Sequence, residues 1–138
     1  MKSKIIHPEG WAPALGYANG ILMQDGTLHI GGQVAWDAQK QFVAHDFVGQ
    51  LEQVLKNILT IVRAAGGDIE DIGRLTWFVK DKTVYLAKQR EIGKVYRQVL
   101  GKHFPAMSML VIKEFVEDDA LLEIEATAYI APETNSRA

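Results

Sequence analysis

The chain contains no cysteine. Disulfides, thiolate metal sites and cysteine nucleophiles are excluded at once. It also lacks a charge excess of either sign: 15 basic and 17 acidic residues leave a formal net charge of -2. Such a balance gives no general attraction to nucleic acid or to an anionic membrane. No long apolar run is present, and the opening Met1-Lys2-Ser3-Lys4 reaches His7, Pro8 and Glu9 before one develops. Neither a signal peptide nor a spanning segment is expected, and the expected location is cytoplasmic. The four histidines, at 7, 29, 45 and 103, have no close ligand spacing, so no structural zinc is expected. The paired glycines lack phosphate-loop spacing. No metal and no cofactor are anticipated.

What is present is an ordinary globular composition, 48% hydrophobic and 23% charged over 138 residues. That length suits one domain, 1–138, with enough surface to bury for a true core. Residues 1–19 read as an irregular arm, broken by Pro8, Gly10, Pro13 and Gly16. Ile21-Leu22-Met23 and Leu28-His29-Ile30 read as a hairpin around Asp25-Gly26, a pair suited to a type I′ turn. Gly31-Gly32 then permits a kink or a close approach of another segment, and 35–44 reads as a loop.

Phe47, Leu51, Val54, Leu55, Ile58, Ile61, Val62 and Ala65 recur at three- and four-residue spacing. They predict a helix over about 46–65, capped by Asp46 and stopped by Gly66-Gly67. A strand follows at 72–79, with Leu75, Trp77 and Val79 on one face and Trp77 in the core. A second helix is expected from a Thr83 cap to Gly101, burying Leu86, Ile92, Val95, Tyr96 and Val99. Strands at 107–112 and 121–130 close the chain, and 132–138 reads as a frayed tail.

The order β-β-α-β-α-β-β predicts an α+β fold with two helices on one face of a sheet. In the last strand Leu122, Ile124, Ala126, Ala128 and Ile130 look toward the helices. Leu121, Glu123, Glu125, Thr127 and Tyr129 look away. That second face is mixed, which suits a subunit interface holding a wet pocket.

Several elements taken in order resemble one family. They are Gly31-Gly32-Gln33, then Phe47, Gln50, Gln53 and Asn57 on the first helix, then Ala64-Ala65-Gly66 with Asp71-Ile72 and Leu75-Thr76. Tyr96, Phe104-Pro105-Ala106 and Glu123-Ile124-Glu125-Ala126 complete the set. With these the chain resembles the Rid (YjgF/YER057c/UK114) family of enamine/imine deaminases from about residue 16 to 130. The resemblance implies a chorismate-mutase-like fold and a homotrimer, in which sheets line a barrel and small-molecule clefts lie between subunits. It implies hydrolysis of reactive enamines or imines to carbonyl compounds and ammonia.

Carried over by position, Glu123 matches a glutamate that holds or activates water, and Tyr17 matches a pocket tyrosine. Gly32 and Gln33 match, while Gly31 stands where serine is common. Met107 stands where the family has an arginine that grips a substrate carboxylate, and a thioether cannot form that bidentate pair. Its presence implies a less anionic ligand, or a carboxylate held by something else. Backbone N–H groups at Gly31 and Gly32 are one source of such a hold, and His103 or Arg90 another. Trp36, beside Asp37, is placed to act as an aromatic lid at the cleft mouth. Two functions stay open at this level: hydrolysis of a small enamine or imine, with Glu123 as the catalytic residue, and a non-catalytic trimer that binds a small metabolite. Tyr17, Gly31, Gly32, Trp36, His103 and Met107 are the candidate ligand contacts.

Overall fold

The structure, a computed structural model, describes residues 2–132. Six strands form one sheet: β1 Ser3–Ile6, β2 Gly20–Met23, β3 Thr27–Gln33, β4 Ile72–Val79, β5 Ala106–Val111 and β6 Leu122–Tyr129. Three helices accompany them, α1 Phe47–Ala64, α2 Lys82–Ala87 and α3 Gln89–Leu100, with a 3₁₀ turn at Ile69–Asp71. The spatial order is β1-β2-β3-β6-β4-β5. Every neighbouring pair is antiparallel except β4 and β5. That pair is parallel because α2 and α3 carry the chain back across the sheet between them.

α1 begins where Asp46 accepts a hydrogen bond from the Gly49 N–H at 3.1 Å. It ends in a Schellman motif, with Gly66 at φ 93°. The Gly66 N–H donates to Arg63 O and the Gly67 N–H to Val62 O, both at 3.0 Å. Leu51, Val54, Leu55, Ile58, Ile61 and Val62 all have 0% exposure. This stripe lies on one sheet face, against Leu28, Ile30, Leu75, Trp77, Leu122, Ile124, Ala126 and Ala128. Side chains alternate along β6 and β4, so their odd and even positions divide between this dry face and an open one.

Two buried amides tie the connecting loops to α1. Gln50 Nε2 donates to Ala44 O at 3.0 Å and to Asp119 O at 2.8 Å. Its Oε1 accepts from the Leu121 N–H at 2.9 Å. Asn57 Nδ2 donates to Val34 O at 3.1 Å and to Trp36 O at 2.9 Å. Each amide pays the hydrogen-bonding needs of buried backbone that no sheet ladder reaches.

The structure corrects five expectations. The arm is not irregular throughout, since Ser3–Ile6 pairs with β2 as an edge strand. The Asp25-Gly26 turn is a three-residue loop rather than type I′. Only Gly26 has positive φ, at 99°, and its N–H donates to Met23 O at 3.0 Å. That is a type I turn closed by a glycine bulge. The second helix is two helices, broken at Lys88, and Asp81 rather than Thr83 caps the first of them. Leu86 is exposed, on the outside of α2. Leu121 packs against the core instead of the open face, beside Phe47 and Val84. The expected tail, 132–138, lies outside the described residues apart from Pro132. Among the described residues no helix is long and apolar enough to cross a membrane.

Candidate functional site

The site starts from the irregular end of β3. Pairing with β6 slips between Ile30 and Gln33, so Gly31 and Gly32 leave the regular ladder. The Gly31 N–H donates to Asn19 O at 3.0 Å. The buried Gln33 amide donates to Gly31 O at 3.1 Å and to Asn19 Oδ1 at 3.3 Å. Segment 17–19 is thereby fixed alongside the two glycines.

Glu123 lies over Gly32. A Cβ on residue 32 would overlap the Glu123 carboxylate, so the absence of a side chain there is what makes room for the acid. Glu123 is opposite Phe78 of β4 and is half-buried on the open face. Burial pushes its carboxyl pKa up, and the nearby Glu125 charge pushes it further. Among the described residues no donor hydrogen-bonds to this carboxylate. It is free to accept from water or from a ligand.

Glu125 is exposed two residues on. With His29, Arg74, Thr76 and Thr127 it lines a shallow depression of about 290 Å³ on the open face.

Tyr17 and Trp36 meet in a second, adjacent crevice of about 20 Å³, lined also by Trp11, Asn19, Gln33, Asp37, Lys40 and Asn57. Trp36 is held by a bridge to Phe42, with the rings edge to face at 6.3 Å, and by the Asn57 hydrogen bond to its carbonyl. The intervening loop closes on Asp37, whose Oδ1 accepts from the N–H groups of Gln39 at 2.8 Å and Gln41 at 3.0 Å. Lys40, at the tip of that loop, has φ 62°, the left-handed conformation that costs a side-chain-bearing residue about 1 kcal/mol. Its ammonium lies 5.4 Å from the Tyr17 ring centroid and 5.5 Å from that of Trp36. No residue type around Lys40 signals the left-handed turn.

His103 and Met107 lie elsewhere in the chain. His103 Nε2 donates to Ile72 O at 2.7 Å, and its own carbonyl accepts from the Tyr96 hydroxyl at 2.6 Å. Burial pushes the Tyr96 pKa up to about 12, so that hydroxyl keeps its proton. Met107 is in β5 opposite Leu75, on the helix-facing side of the sheet. Glu123 is on the other face, with β4 between them. One chain therefore brings Gly31, Gly32 and Glu123 together, and Tyr17 with Trp36, the two groups being joined through Asn19 and Gln33. It leaves His103 and Met107 at the far edge.

A family model described as Endoribonuclease L-PSP matches residues 9–130. The chain belongs to the Rid (YjgF/YER057c/UK114) family. This Rid chain is 34% identical over 131 residues to a 2-iminobutanoate/2-iminopropanoate deaminase of Salmonella typhimurium, covering 91% of this chain and 97% of the relative. It is 32% identical over 127 residues to a RutC family protein of Pyrococcus horikoshii, again covering 91% and 97%. Among solved structures it is similar to E. coli TdcF with bound serine, at 30% identity and a TM-score of 0.78. That match covers 93% of this chain and 99% of TdcF. The α+β architecture of the Rid chain is thus the one its relatives share.

Proposed function

We propose that this Rid protein hydrolyses a small reactive imine, or the enamine in equilibrium with it, to a carbonyl compound and ammonia. The cleft is completed by a neighbouring subunit of a homotrimer. The observation that carries this reading is the Glu123 carboxylate: half-buried, raised in pKa, and free of protein donors above Gly32. The deaminase named for the Salmonella typhimurium relative supports the same chemistry.

In this reading a water molecule held by Glu123 adds to the imine carbon while Glu123 accepts its proton. The proton passes to nitrogen, giving a neutral amino alcohol. The hydroxyl proton then moves by way of Glu123 to the amine, the C–N bond breaks, and ammonia leaves with the carbonyl formed. Such substrates already hydrolyse in water, so holding the water and matching the proton acceptor are sufficient tasks for the protein. The decisive test generates 2-iminobutanoate in situ and follows keto-acid release. Release no faster than the spontaneous rate at micromolar protein would overturn the proposal.

Met107 favours a second reading, a trimer that binds a small metabolite without converting it. The resemblance puts an arginine at this position, and a thioether there lines a cleft without gripping an anion. A ligand recovered unchanged after prolonged incubation with the trimer would favour this alternative. The family model's description names a ribonuclease. The net charge of -2 argues against RNA as the substrate, because binding a polyphosphate backbone depends on clustered basic residues.

A further inference from the structure

We propose that the groove between the start of α1 and α2 is a second ligand site, one that takes an organic anion with an apolar body. The inference is independent of the imine-hydrolase reading. The groove shares no lining residue with the depression beside Glu125 or with the Tyr17 crevice.

Its two lobes have volumes of about 390 and 430 Å³ and meet over Phe47, Val84 and Leu121. Cavities of this size accommodate small-molecule ligands. Phe47 is 5% exposed and forms the floor, while Val84 is 37% exposed and open at the wall. The walls are fixed from behind. The fully buried Gln50 amide holds Ala44 O, Asp119 O and the Leu121 N–H together. The Lys80 N–H donates to Leu121 O at 3.2 Å, and the Ile112 N–H donates to Val79 O at 2.9 Å. The Phe47 and Tyr85 rings meet edge to face at 6.3 Å, which fastens α2 to α1. A groove anchored in this way needs little ordering when a ligand enters.

The charges on the rim give the ligand a direction. In one lobe they are already matched, since Lys88 lies 3.7 Å from Glu91 and Asp46 caps α1. In the other lobe Asp81 is committed to the Val84 N–H at 3.1 Å, where it caps α2. Lys80 and Lys113 line that same lobe and form no ion pair among the described residues. Two unpaired ammonium groups therefore stand beside an apolar floor. An anionic head group at Lys80 and Lys113 answers the first, and an apolar body laid along Val84 and Leu121 toward Val48 covers the second. A cation or a sugar gains neither.

The probe is naphthalene-2-sulfonate, with the uncharged naphthalene-2-sulfonamide as its comparison. Binding is measured by calorimetry and mapped by amide chemical shifts. The sulfonate is expected to bind with a Kd of about 1 mM or below and to exceed the sulfonamide in affinity about tenfold. Its shifts are expected at Phe47, Val84, Lys113 and Leu121. The double variant Lys80→Met, Lys113→Met keeps the apolar stems and should abolish the sulfonate preference while sulfonamide affinity stays within about twofold. Val84→Glu puts a carboxylate at the groove wall and should weaken sulfonate binding by about tenfold or more. Both variants are expected to keep the parental mass in light scattering. Sulfonate shifts confined to β5 or to Gly31, Gly32 and Glu123 would overturn the assignment. So would the absence of a preference over the sulfonamide, or an unchanged preference in the double variant. The two readings can fail separately. Groove binding in a protein that does not turn over 2-iminobutanoate removes the hydrolase and keeps this site. Turnover without groove shifts does the reverse.

Discussion

The Glu123 carboxylate occupies the space in which a side chain at Gly32 would stand. The contact involves the flexible end of Glu123, so a methyl group at residue 32 displaces the acid instead of breaking the backbone. Gly32→Ala should accordingly fold with a stability within about 1 kcal/mol of the parent. It should lose about 10²-fold in imine hydrolysis, the usual consequence of misplacing a reacting group by about 1 Å. Thermal melts and kcat on the same preparation check both parts. Full activity in Gly32→Ala would mean that the carboxylate position does not matter.

Glu123→Gln separates charge from shape. Hydrolysis should fall about 10²–10⁴-fold if proton transfer through this residue limits the rate. Stability should move the other way. The folded-state pKa of Glu123 is raised, by burial first and by Glu125 second. A raised carboxylate destabilises the fold progressively as pH climbs from the ordinary carboxylate value through the raised one, and the full penalty persists above it. Glutamine carries no such penalty. The variant should therefore melt higher than the parent near neutral pH, and the gap should close below about pH 4, where both side chains are neutral. A pH series of melting temperatures tests the sign. A parent protein that gains stability relative to the variant as pH rises would contradict the burial argument.

Much of the fold was legible because it depends on periodicity. The stripe from Phe47 to Val62, the alternation in β4 and β6 and the stops at Gly66 and Gly101 follow from spacing and backbone freedom. What escaped depends on partners or on small backbone choices. β1 has only Ile5 and Ile6 to mark it, and it is a strand because β2 offers an edge. Asp25-Gly26 marks a turn, but whether Gln24 joins the loop is settled by the register with Leu28. The break at Lys88 has neither glycine nor proline to announce it. Glu123 and the glycine pair were singled out by resemblance, and the geometry supplies a reason that glycine stands at 32. The left-handed turn at Lys40 was invisible because no neighbouring residue type announces that backbone angle.

The proposed trimer makes its own prediction. β5 pairs with β4 on one side only, and all six of its residues are exposed in the single chain. Met107, Leu110 and Val111 are 41%, 47% and 54% exposed, a concentration of apolar surface that a lone soluble chain rarely leaves uncovered. Light scattering should give three times the 15.4 kDa chain mass. Leu110→Asp places an unpaired carboxylate in that contact and should shift the protein toward monomers, weakening assembly about 10²-fold or more. A native monomer at micromolar concentration would exclude both the trimer and a cleft shared between subunits.

Asn57 links the core to the crevice, and it carries the last prediction. Its amide donates to Val34 O and Trp36 O, and its Oδ1 accepts from Gln53 Nε2 at 2.8 Å. Asn57 is 5% exposed, and the Val34 carbonyl it serves is buried with it. Asn57→Leu keeps the branched shape and leaves two carbonyls without their donor, which should cost about 2–4 kcal/mol in total. Gln53→Ala removes only the outer donor and should cost about 1 kcal/mol or less. The two variants should differ in a second way. Without the Asn57 amide nothing anchors the Trp36 carbonyl, so the loop carrying Lys40 should loosen, and tryptophan emission should shift to the red in Asn57→Leu but not in Gln53→Ala. Denaturant melts give the first comparison and native-state fluorescence the second. An Asn57→Leu protein with parental emission would show that the Trp36 loop is held by its bridge to Phe42 alone.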